Sequence, residues 1–161
     1  MRLGLGAESF LAPPESRLLM SFWKKIFDGD PTDRVDYYGE GLDLLGSGKY
    51  HEALTSFRLA LRDAPNDPAV LQQIAITYTR IGMTDEAIKT YRTVLANHAS
   101  ASGAHYGLAF LLLRDGRKDV AMEHLRAFLA SPPEGAEAQK HIDHARQTLA
   151  TLSESPSGRE G

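Results

Sequence analysis

Six histidines are the residues of this chain best able to do chemistry, and two of them, His141 and His144, stand three positions apart. On a helix that spacing puts both rings on neighbouring parts of one face, the usual start of a metal site. Two imidazoles do not close a zinc shell. Asp143 falls elsewhere around the helix, the other histidines are scattered along the chain, and there is no cysteine to supply a thiolate. The pair is therefore expected to be solvated, with no metal and no cofactor. A serine or threonine nucleophile needs a positioned base and an oxyanion hole, and no Gly-x-Ser-x-Gly elbow occurs. Gly4-Leu5-Gly6 and Gly46-Ser47-Gly48 lack the lysine and hydroxyl residue of a phosphate loop, and no strand precedes them. The sequence argues against an enzyme.

What must position any functional residue is a set of helices on a strict period. Gly48, Gly82 and Gly116 are 34 residues apart, and each is followed five positions later by an alanine, Ala53, Ala87 or Ala121. Superposition at that step aligns Gly41 with Ala75 and Ala109, Leu44 with Tyr78 and Leu112, and Phe57 with Tyr91 and Leu125. It also aligns Ala60 with Val94 and Phe128, and Leu61 with Leu95 and Leu129. In most of these columns small residues match small and large match large, as two closely approaching helices require. The pattern predicts helices at about 34–46 and 50–63, then 68–81 and 84–97, then 103–115 and 118–130. Asp33, Asn66 or Asp67, and Thr84 are the expected N-caps, and Pro68 stands in a first turn where its missing N–H costs nothing. A further helix over 135–152 carries Ala138, Ile142, Ala145 and Leu149 on one stripe. It is expected to cap an array whose last hairpin would otherwise expose its apolar end.

These columns resemble the tetratricopeptide repeat, a 34-residue helix-turn-helix unit with small, large, Gly, Ala, aromatic and Pro positions. The first repeat is the best match, with Gly41, Tyr50, Ala53, Phe57, Ala60 and Pro65. Ala99 replaces the usual terminal proline of the second, while Leu125 and Phe128 depart from the pattern in the third. The resemblance implies an all-α fold, a right-handed superhelical stack of hairpins or α-solenoid, with repeats at 34–67, 68–101 and 102–133. It also implies a non-catalytic scaffold that binds another protein or peptide in its concave groove. In the family, the groove stripe would here be Tyr38, Leu42 and Leu45; Gln72, Ile76 and Thr79; and Tyr106, Phe110 and Leu113, with Arg80 and Arg114 at its edge. That is an apolar groove, and exposed apolar surface usually marks a contact site; the competing reading makes part of it core. The positions at which some relatives clamp acidic tails with Lys and Asn hold Tyr38, Leu42, Gln73, Gly103 and Gly107, so that clamp is absent. A hydrophobic peptide or amphipathic helix is the better ligand.

The rest of the chain bounds the alternatives. A length of 161 residues, with 42% hydrophobic and 24% charged residues, suits one soluble domain with tails. The net charge of −3 and the lack of a basic block argue against nucleic acid. Residues 1–17 are expected to be a disordered extension without a secretory signal, since Gly4, Gly6, Glu8, Pro13 and Pro14 interrupt any apolar run; Met20 offers a second plausible start. The expected location is the cytoplasm. Residues 18–28 form a short amphipathic helix with Phe22, Trp23, Ile26 and Phe27 on one face, ahead of an Asp28–Pro31 hinge. It could fold into the groove, cap the first repeat, or enter the groove of a neighbouring copy in a self-assembling protein. Lys24 and Lys25 give only weak attraction to a membrane surface. Residues 153–161 lack the apolar content to order themselves.

Overall fold

The computed structural model describes residues 35–154, and every regular element among them is helical. The expectations placed on residues 1–34, including the Phe22–Phe27 helix, the hinge and the Asp33 cap, lie outside the described residues, as does the tail beyond Glu154.

Among the described residues seven helices follow one another: α1 Tyr37–Gly46, α2 Tyr50–Asp63, α3 Pro68–Ile81, α4 Thr84–Asn97, α5 Ser102–Arg114, α6 Lys118–Ala130 and α7 Ala136–Glu154. Each packs on the next in sequence, and α1 with α3 and α3 with α5 also touch. That is the pattern of stacked hairpins whose first helices share one side, and the architecture is an α-solenoid.

The glycine beat is a backbone device. After α1, the Gly48 N–H donates to Leu45 O at 3.1 Å and the Lys49 N–H to Leu44 O at 2.9 Å. The same pair of bonds closes α3, from Gly82 to Thr79 and Met83 to Tyr78, and α5, from Gly116 to Leu113 and Arg117 to Leu112. This double closure needs a left-handed residue, and the three glycines have φ of 76°, 90° and 76°. The alanines five residues later are each fully buried, where the second helix of a hairpin meets the first.

Two caps differ from expectation. Helix α1 starts at Tyr37, because the Asp36 carboxylate accepts the Gly39 N–H at 2.9 Å. Thr84 is not a cap but the first residue of α4: the turn at Gly82 is so tight that the Met83 carbonyl already takes the Ala87 N–H at 3.0 Å. Asp67 caps α3 as expected, accepting from Ala69 and Val70. Helix α7 runs two residues beyond its expected end, to Glu154, so Ser153 and Glu154 are helical and not part of a tail.

The core forms three clusters along the stack. In the first, Phe57 fits against Gly41, where a Cβ would come within 2.5 Å of its ring. The last cluster explains a departure from the repeat pattern. Phe128 is large where the family has a small residue, and it is buried together with Ala138, Ile142 and Ala145 of α7. The bulky side chain fills the space beneath the capping helix.

Candidate interaction groove

The side formed by α1, α3 and α5 is hollow. A cavity of about 500 Å³ lies between α3 and α5 and reaches α7. Gln72, Ile76, Thr79 and Arg80 line it from α3, and Tyr106, Phe110, Leu111 and Arg114 from α5; Phe128, Pro133 and His141 close its far end. A second depression of about 450 Å³ adjoins it, lined by Leu42, Leu45, Gly46, Tyr50, Ile76 and Arg80. Ile76 and Arg80 belong to both, which makes one track of the two. A third hollow, on the side formed by α4, is lined largely by charged residues, among them Asp85, Lys89, Arg92 and Asp115.

Nine of the residues named from sequence therefore border the track: Leu42, Leu45, Gln72, Ile76, Thr79, Arg80, Tyr106, Phe110 and Arg114. Two do not. The Tyr38 ring packs on Phe57, centroids 6.0 Å apart, and lies partly buried against the first core cluster. Leu113 packs against the central cluster. Leu42, at 38% exposure, is an exposed large hydrophobic residue on the track.

Groove and core are not alternatives for Tyr106 and Phe110. Both line the cavity, and both also pack on the cluster beneath α7. The Tyr106 ring meets Phe110 at 4.7 Å, Phe128 at 5.1 Å and His141 at 4.9 Å. His144 stacks on Phe110, centroids 4.6 Å apart and planes 7° apart, and its Nδ1 lies 2.8 Å from the Tyr106 hydroxyl. The two histidines expected to be simply solvated are exposed on one side and packed against aromatic rings on the other.

Sequence comparison of repeat columns misses the floor of the cavity. Gly103 and Gly107, one turn apart on α5, leave room for Gln72 and Tyr91: a Cβ at either glycine would meet the Gln72 amide or the Tyr91 ring. The Tyr91 side chain, buried in α4, thereby reaches the groove. The signal available was the pair of glycines four apart inside a helix, where each costs helix stability and so requires a packing reason. Burial pushes the Tyr91 phenol up to about 12, partly offset by a hydrogen bond with Thr79, and burial also raises Tyr106. Both phenols stay neutral near pH 7 and act as hydrogen-bond groups in an apolar wall.

A second histidine pair sits between α5 and α6. His105 Nδ1 lies 2.8 Å from His124 Nδ1, while His105 Nε2 lies 2.9 Å from the Ala99 carbonyl. With His105 donating from Nε2, its Nδ1 accepts the proton of His124 Nδ1. Burial, then the neighbouring His105, lower the His124 pKa; Glu123 opposes them, and Arg92 adds the smallest lowering effect.

Residues 44–102 match the family model of the tetratricopeptide repeat. The helix count, consistent with about three such hairpins and a capping helix, and the stacked-hairpin fold agree with that match. It is 35% identical over 95 residues to the photosystem I assembly protein Ycf3 of Parasynechococcus marenigrum, covering 53% of this chain and 55% of that one. It is 26% identical over 159 residues to the anaphase-promoting complex subunit CDC16 of Saccharomyces cerevisiae, covering 94% of this chain but 19% of that one. The chain thus spans only part of the length of these relatives. Among solved structures it is similar to the Yersinia enterocolitica type III secretion chaperone SycD in complex with a peptide of the translocator YopD. That match has a TM-score of 0.67 at 18% identity, over 73% of this chain and 89% of that one. PcrH in complex with the chaperone binding region of PopD matches with a TM-score of 0.68 at 16% identity, over 78% and 95%. At these identities the likeness is one of fold.

Proposed function

We propose that the chain is a non-catalytic adaptor that holds an apolar peptide, or one face of an amphipathic helix, in the track between Leu42 and His141. The observation that carries this reading is the 500 Å³ cavity walled by Ile76, Tyr106, Phe110 and Leu111 on the hollow side of the stack. The helices around it are held by a buried core, so a partner meets a preformed surface and little ordering is needed on the receptor side. The complexes of SycD with a peptide of the translocator YopD and of PcrH with the chaperone binding region of PopD support the same use of the fold.

Selection of random phage-displayed peptides on the immobilised whole chain tests the reading. Apolar sequences should be enriched, and they should not be retained by Ile76→Ser, a change on the groove wall of a half-buried residue. Circular dichroism should be unchanged in that variant. Retention by Ile76→Ser equal to that of the unaltered chain overturns the proposal. Sedimentation of the whole chain addresses the self-assembly alternative: a concentration-dependent rise in mass, suppressed by the same substitution, assigns the groove to a second copy.

A further inference from the structure

The track has a charge pattern that its apolar lining does not require. Arg80 borders both depressions and Arg114 borders the larger, and no Asp or Glu lines either. Yet acidic residues outnumber Lys and Arg in the chain as a whole, 21 to 18. The ion pairs among the described residues are Lys140 with Glu137 and Arg146 with Asp143, both on α7; neither groove arginine has a carboxylate partner there. Both arginines stand in the last turn of the first helix of a hairpin, at equivalent places in successive repeats, so they stand in a row along one edge of the track.

We propose that the segment taken by the groove carries carboxylate side chains beside its apolar ones: a peptide whose leucine- or phenylalanine-like residues lie on Ile76 and Phe110 while aspartate or glutamate residues meet Arg80 and Arg114. The inference rests on the groove reading above and narrows its ligand. A guanidinium offers a planar fork that two carboxylate oxygens match, so each arginine can take one acidic side chain bidentately. Two cations in successive repeats call for two acids spaced along the peptide. Because both arginines are exposed on the rim, their contribution falls on encounter rate, register and choice of partner more than on the apolar anchoring. A basic apolar segment is repelled by the same pair.

The test uses the peptide selection on the whole chain, run in parallel on the Arg80→Gln/Arg114→Gln double variant, which alters only exposed side chains. Asp and Glu should be enriched beside apolar residues on the unaltered chain and not on the variant. The best selected peptide, synthesised with a fluorescent label, should bind the double variant roughly tenfold more weakly at low salt, and the gap should close as salt is raised. Enrichment of neutral or basic apolar peptides, or equal affinity for both proteins, overturns the charge inference while leaving the groove reading intact. Loss of affinity on amidating the peptide's C-terminus, with its acidic side chains kept, assigns the arginines to a terminal carboxylate and also overturns it. Binding that survives Ile76→Ser removes the groove reading and this inference with it.

Discussion

Tyr91 occupies the space that a side chain at Gly107 would need: a Cβ there would come within 2.5 Å of the tyrosine hydroxyl oxygen. The contact links the second helix of the middle hairpin to the first helix of the next, and it brings a buried phenol to the groove floor.

Gly107→Ala should therefore destabilise the protein by about 1–3 kcal/mol, as overpacking does, although alanine is the better helix former. Tyr91 is 3% exposed, so its ring has little room to retreat. Gly46→Ala is the internal control. It lies in α1 with nothing near the new methyl, and should be neutral or stabilise by up to about 1 kcal/mol. Chemical denaturation of both variants reads the difference; equal effects would contradict the packing assigned to Gly107.

Phe128→Ala should cost about 3–5 kcal/mol, since the side chain is fully buried and a cavity is left beneath α7. The loss should be local first. Hydrogen exchange over 136–154 should rise more than over the first hairpin, whose core cluster is separate.

Tyr106→Phe keeps the ring contacts with Phe110 and Phe128 and removes only the hydroxyl beside His144 Nδ1. It should cost about 0.5–1.5 kcal/mol. Tyr106→Ala should cost several times more in the same melting experiment. If the two variants are equal, the ring is not part of the cap's support.

His124 makes stability depend on pH. Its pKa in the folded protein is below the ordinary value of about 6.5, so the unfolded chain binds its proton more readily. Stability should fall as pH drops through about 6.5 toward the folded value, below which no further loss arises from this group. His124→Gln should flatten that slope in melts recorded from pH 7.5 to 5. A slope unchanged by the substitution would place the titration elsewhere.

The periodic part of the fold was legible because it is repeated: Ala53, Ala87 and Ala121 mark the helix contacts, and Gly48, Gly82 and Gly116 mark the turns. Single features were less so. Thr84 has the chemistry of a cap, but the turn at Gly82 leaves that role to a backbone carbonyl. Tyr38 shares the spacing of groove residues, yet at the first repeat its ring packs, half-buried, on Phe57. The reach of Tyr91 past Gly107, and the packing of His141 and His144 on Tyr106 and Phe110, join elements of different periodic phase. No comparison of equivalent columns can show such contacts, since each occurs once.

Helix α7 is bound to the last hairpin through the same aromatic rings that wall the cavity. A fourth hairpin inserted ahead of it would have to present its own Tyr106, Phe110 and Phe128 to receive the helix, and the far wall of the groove would move with it. The number of repeats is thus tied to the shape of the groove. The protein could not be lengthened by duplicating a unit, as repeat arrays commonly are, without rebuilding that wall.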